Sequence, residues 1–171
     1  MIQILFDTNV VLDFWKADRH FFKRLPKEQV NTSAVSVIAA ELRKEFPSTP
    51  FREILPKIGL ACVEACPEDW NCVVDHCGLS EYDQIFMWTA KRLQIPLATN
   101  DRQLRARCAD NGVEVLWGTD VLLRFYEWGI ISGEYALQIG EIVCGPTRVK
   151  EHVRTKFLDD FQKLKTRLDG T

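Results

Sequence analysis

Apolar residues recur along the chain in two alternating rhythms: short continuous runs bounded by turn residues, and longer segments with helical spacing. Ile2 to Phe6 is a buried-type run and reads as the first strand, followed by a helix from about Thr8 to Trp15. A polar stretch from Ala17 to Gln29 adds a further helical turn or two, and Val30 to Ala34 reads as the second strand. "SVIAAELRKEF" repeats its apolar positions Ile38, Leu42 and Phe46 at helical spacing until Pro47 and Pro50 stop it. "FREILPKI" is a short helix, "LACVEA" a strand, and Pro67 opens a helix running to about Cys77. "SEYDQIFMWTAKRLQI" is the clearest helix, opened by a Ser80-x-x-Asp83 capping pattern and broken by Pro96. "PLAT" is a strand, "DRQLRARCADNG" a helix closed at Asn111-Gly112, "VEVLW" the last strand, and "TDVLLRFYEW" a helix capped by Thr119 or Asp120.

Strands alternating with helices predict a parallel sheet covered on both faces, an α/β fold. Beyond Gly129 the strands stop. "SGEYALQIGEIV" and "RVKEHVRTKFLDDFQKLKTRL" both read as helices, the second with an apolar stripe of Val149, Val153, Phe157, Leu158, Phe161, Leu164 and Leu168. Residues 1–128 are therefore expected to form the α/β domain, and 129–171 a helical extension packed on it.

With 171 residues, 46% hydrophobic and 27% charged, the chain can bury one sizeable core. No basic start followed by a long apolar segment marks a signal peptide, and no apolar run is long enough for a membrane span. The expectation is a soluble, cytoplasmic protein. A net charge of -2 and a pI of 5.9 exclude a protein that coats nucleic acid by charge alone, but leave room for a local basic groove. Cys62, Cys66, Cys72 and Cys77 cluster in sequence without a C-x2-C knuckle, so they read as reduced thiols. A zinc or cluster module built on them is the competing reading. His76, beside Cys77, is the one histidine placed to join a metal.

In an open parallel sheet, ligands bind beyond the carboxyl ends of the strands where strand order reverses. Asp7 directly follows the first strand, and Asp101, in "LATNDRQL", follows the strand at 97 to 99. Asp83 lies in the first turn of its helix, and Glu41 on the helix after the second strand. Each has a local explanation: Asp7, Asp83 and Asp101 as helix caps, Glu41 as a solvated flank. As a set, four carboxylates on separate elements are what a hard divalent cation requires. Asp13 and Asp120 are further acids, read as solvated or capping.

"LFDTNVVLD", "SAVSVIAAELRKEF", "SEYDQIFMWTAKRL" and "LATNDRQL" resemble, in order, the four acidic motifs of PIN-domain nucleases. The resemblance spans roughly residues 1 to 128 and implies a Rossmann-like sheet and metal-dependent endoribonuclease activity, as in the toxins of toxin–antitoxin pairs. It implies that Asp7, Glu41, Asp83 and Asp101 hold one or two Mg2+ or Mn2+ ions, while Thr8, Asn9 and Thr99 orient those carboxylates. Such ions lower the pKa of water and offset charge on the leaving oxygen. Glu45, one turn from Glu41, competes for the second position. The implied partners are RNA, an antitoxin protein and a second copy of the chain.

RNA also requires positive charge near the acids. Arg102, Arg105 and Arg107 follow Asp101, Lys91 and Arg92 end the preceding helix, and Arg148, Lys150, Arg154 and Lys156 surround the start of the last one. Trp15, Trp70 and Trp88 are candidates for base stacking, Trp88 reading also as core. Two other classes compete. One is a PIN-fold protein that binds RNA or protein without cutting. The other is a phosphotransferase with Asp7 as nucleophile, disfavoured because Asn9 stands where that chemistry uses a second acid.

Overall fold

The computed structural model describes residues 1–75, 78–145 and 151–170. Strands β1 (Ile2–Phe6), β2 (Val30–Val35), β3 (Ala61–Val63), β4 (Leu97–Ala98) and β5 (Val115–Leu116) form one sheet in the order β3-β2-β1-β4-β5. Every pairing is parallel. The fold is an α/β, Rossmann-like parallel sheet flanked by helices, with a helical C-terminal region. No helix among the described residues is long and apolar enough to cross a membrane.

β1 is central, so both its faces are covered, and Ile4, Leu5 and Phe6 are buried in succession. The chain steps from β1 outward to β2 and β3, then crosses back so that β4 pairs on the other side of β1, with Leu5 opposite Leu97 and Phe6 opposite Ala98. Strand order therefore reverses between β1 and β4. Pro96 can stand directly before β4 because only its carbonyl is used there, accepting from the Leu5 N–H. The ladder continues one step beyond the strands: the Asp7 N–H donates to Ala98 O and the Thr99 N–H to Leu116 O.

Helix α1 (Thr8–Ala17) carries Phe14 into a cluster with Phe6, Phe21 and Phe22, the last two on α2 (Phe21–Arg24). Truncating a fully buried Phe of this kind costs about 3–5 kcal/mol. Several elements are shorter than the periodicity predicts. The helix expected from Ser36 is α3 (Ile38–Leu42), preceded by a turn in which the Ala39 N–H donates to Ser36 O, while the Ser36 N–H donates to Val63 O of β3. "FREILPKI" divides into a 3-10 turn (Phe51–Glu53) and α4 (Ile54–Ile58). The helix opened by Pro67 is α5 (Pro67–Asn71), and Cys77, where it was expected to end, lies outside the described residues.

Helix α6 (Glu81–Leu93) has the predicted capping box, and α7 (Arg102–Asp110) follows Asp101. Helix α8 (Gly118–Glu127) is entered from Trp117, not from Thr119 or Asp120; Asp120 sits three residues in and accepts from the Trp117 N–H. Helix α9 (Gly133–Val143) packs on α1 and α8, tied to the α1 end by a 2.6 Å bond from the Tyr135 hydroxyl to Asp18. Helix α10 (Glu151–Asp169) lies on α8 and α9 through Phe157 and Phe161. Val149, part of the predicted stripe, lies outside the described residues.

Candidate functional site

Asp7 occupies the cap position of α1, yet its side chain makes no capping hydrogen bond. It is 2% exposed, and its Oδ2 accepts from the Thr99 hydroxyl at 2.7 Å. The Thr99 Oγ1 in turn accepts the Asp101 N–H at 3.1 Å. One hydroxyl thus links the residues that follow β1 and β4, at the reversal of strand order where parallel sheets bind ligands. Asp101 does cap its helix, through Oδ1 and the Leu104 N–H at 2.7 Å.

Asp83 and Glu41 approach from α6 and α3. Burial pushes the Asp7 carboxyl up to about 6, and the negative charges of Asp83 and Glu41 both add to the rise, while the Thr99 bond opposes it. Asp83 uses Oδ2 for the Ser80 hydroxyl and backbone, and Glu41 uses Oε2 for the Thr8 hydroxyl. Thr8 is buried, whereas Asn9 is exposed and joins none of these bonds. The structure therefore brings Asp7, Thr99 and Asp101 into one hydrogen-bonded chain and sets Asp83 and the Thr8–Glu41 pair close enough to oppose its charge.

Among the described residues, no three His, Cys, Asp or Glu side chains stand close enough to hold a metal ion as they are placed. The donor chemistry nonetheless suits a hard cation. All four acids offer carboxylate oxygens, and Asp83, Asp101 and Glu41 each direct one oxygen to a protein donor. A divalent cation here would offset the repulsion from Asp83 and Glu41 that adds to the effect of burial on the Asp7 carboxyl.

The basic residues divide sharply. Arg102 is exposed at the start of α7. Arg105 is part of the framework: its guanidinium donates to Asn100 O at 2.6 Å and lies 3.6 Å from the centre of the Trp117 ring. Arg92 grips the buried Asp69 carboxylate at 2.8–3.2 Å, so it serves α5–α6 packing and not the acid site. Lys91 lies over Trp88. Arg154 and Lys156 pair along α10 with Glu151 and Asp160, while Arg148 and Lys150 lie outside the described residues.

Trp15 packs on Phe46, Trp88 is half-buried against the core, and Trp70 is exposed. Asp13 accepts from Asn100, and Asp120, in the first turn of α8, accepts from the Trp117 N–H. Cys62, Cys66 and Cys72 are free thiols; His76 and Cys77 lie outside the described residues. Glu45 pairs with Lys16 at 3.8 Å, which separates its role from that of Glu41.

Sequence reasoning passed over Asn100. Its side chain accepts from the Gly118 N–H at 3.1 Å and donates to Asp13 at 3.2 Å, joining the loop after β4 to the start of α8 and to α1. Its position between Thr99 and Asp101 was the only available signal. Comparison with protein-family profiles, curated proteins and solved structures gave no match.

Proposed function

We propose that this chain is a divalent-metal-dependent endoribonuclease of the PIN type, hydrolysing RNA phosphodiester bonds in the cytoplasm as the toxin of a toxin–antitoxin pair, and acting as a homodimer. The observation that carries the reading is the buried Asp7 carboxylate, held by Thr99 at the reversal of strand order and pushed up to about 6 by its burial, with the charges of Asp83 and Glu41 adding to the rise. A protein keeps such a destabilising arrangement where it has a use for concentrated negative charge.

Asp7, Glu41, Asp83 and Asp101 are the residues that would hold Mg2+ or Mn2+. When bound, the cation supplies Lewis acidity toward a phosphodiester and lowers the pKa of water. The protein's own contribution is positional. Thr99 fixes the Asp7 rotamer and the Asp101 backbone together, Thr8 steers Glu41, and the Ser80 box holds Asp83 at the first turn of α6. Arg102, exposed one residue beyond Asp101, is available to an RNA phosphate.

A second reading is a PIN-fold protein that binds RNA or a protein without cutting. It is favoured by the hydrogen bonds that already engage one oxygen of each of Asp7, Glu41, Asp83 and Asp101 within the protein. A panel of single-stranded RNAs incubated with Mg2+ or Mn2+, with and without EDTA, separates the two. Metal-dependent cutting by wild type that is lost in Asp101→Asn supports the nuclease. Folded wild type that cuts nothing supports the binding protein, and equal cutting by both proteins marks a contaminant.

A further inference from the structure

Beyond the end of β5, a cleft between α8 and α10 has a volume of about 300 Å3. Its lining includes Trp117, Asp120, Leu123, His152, Lys156 and Phe157. Trp117 follows β5 as Thr99 and Asp101 follow β4, and β4 and β5 are hydrogen-bonded neighbours. The link is direct: Gly118 donates to the Asn100 side chain, and Arg105 bridges from the Asn100 carbonyl to the Trp117 ring. The indole is 38% exposed while Leu116 beside it is buried, so its place at the cleft is not that of a core residue.

The charge of the cleft selects among ligands. Asp120 and Asp160 face Lys156, which already donates to Asp160, so the cleft offers no net positive charge to a phosphate. It offers the Trp117 indole, the apolar side chains of Leu123 and Phe157, and the carboxylates of Asp120 and Asp160, each with one oxygen already accepting from the Trp117 N–H or Lys156. A nucleobase matches all three features, with π-faces for the indole and N–H groups for the acids. The guanidinium of Arg105 restrains the ring in advance, which reduces the ordering that stacking requires.

We infer that the α8–α10 cleft is a base-binding subsite in which Trp117 stacks a nucleobase of single-stranded RNA beside the phosphate presented to the Asp7–Asp101 site. The identity of the polymer rests on the ribonuclease reading; the stacking geometry does not. The subsite fixes which nucleotide flanks the scissile bond, and so contributes sequence preference. Trp117 acts here by binding the substrate and takes no part in bond cleavage.

The test separates binding from cutting. Fluorescein-labelled single-stranded RNA is titrated by anisotropy into Asp101→Asn protein carrying Trp117, Trp117→Phe or Trp117→Ala, after thermal melts establish that all three are folded. A second RNA set carries one abasic residue moved along the strand. Trp117→Ala is expected to weaken binding about 5- to 100-fold, the range for loss of one base stack, with Trp117→Phe within about threefold of the parent. One abasic position should reproduce the loss in the parent and have no further effect in Trp117→Ala. Equal affinity of the parent and Trp117→Ala, or equal binding of every abasic RNA, overturns the subsite. Trp117-dependent binding without metal-dependent cleavage by wild type supports the subsite and overturns the nuclease reading. Cleavage with Trp117-independent binding overturns the subsite alone, and failure to bind any RNA overturns both.

Discussion

The Thr99 hydroxyl donates to the Asp7 carboxylate at 2.7 Å across the seam between β4 and β1, joining residues 92 positions apart. The same oxygen accepts the Asp101 N–H, so one buried side chain orders both strand ends of the candidate site. Thr99→Val keeps the shape and removes both bonds. It should destabilise the protein by about 1–3 kcal/mol, the cost of leaving a buried polar group unsatisfied, while Thr99→Ser should recover most of the loss. Urea unfolding of the two variants at neutral pH measures this.

Asp7 makes stability depend on pH with an unusual sign. Its carboxyl is raised to about 6 when folded, against roughly 3.9 in an unfolded chain, so between those values the folded state binds more protons. Stability from this group is complete below the unfolded value and is lost as pH rises through about 6, by about 3 kcal/mol in total. Asp7→Asn should remove that slope and raise the melting temperature at pH 7.5 in EDTA. Added Mn2+ should raise the melting temperature of wild type and leave the variant unchanged. Melts at pH 4.5 and 7.5, with and without the ion, read both effects.

The Asp69–Arg92 pair has the opposite sign. Burial alone would raise the Asp69 carboxyl, but hydrogen bonds from Arg92, the Cys66 backbone and Thr89 outweigh it and hold it below the ordinary carboxylate range. Its contribution is present above the unfolded carboxylate value and disappears as pH falls through the lower folded one. Arg92→Ala should destabilise by about 2–3 kcal/mol at pH 7, at the low end for a broken buried pair because Arg92 is partly exposed. Denaturant titrations at successive pH values should show the difference from wild type shrinking below about pH 4.

Gly140 fixes how closely α10 approaches α9. A methyl group at this position would overlap the Phe157 ring, a buried residue of α10. Gly140→Ala should therefore cost about 1–3 kcal/mol through overpacking, even though alanine favours the helix itself. Hydrogen exchange should show protection falling first along α10. Unchanged protection there would refute this account of the docking.

Much of this was legible from the chain. The Ile4-Leu5-Phe6 run gave away a strand covered on both faces, and Ser80-x-x-Asp83 gave away the start of α6, because strand burial and helix capping leave their marks within a few residues. Asp7 and Asp101 could be placed at strand ends for the same reason. The fate of the cations could not. Arg92 and Arg105 look alike in sequence, yet one closes on buried Asp69 and the other on Trp117, partners supplied by elements distant along the chain.

By itself, then, the sequence determined the alternation of strands and helices, the ends at which the acids sit, and the local caps, since backbone hydrogen bonding and side-chain periodicity act over one or two turns. Only the tertiary structure decided that β4 lies beside β1, that Thr99 reaches Asp7, that the charges of Asp83 and Glu41 act on Asp7, and that Trp117 lines a cleft between α8 and α10. Those relations depend on how a whole core closes. A carboxylate acquires its environment from whatever the packing brings near it, and no spacing along the chain encodes that distance.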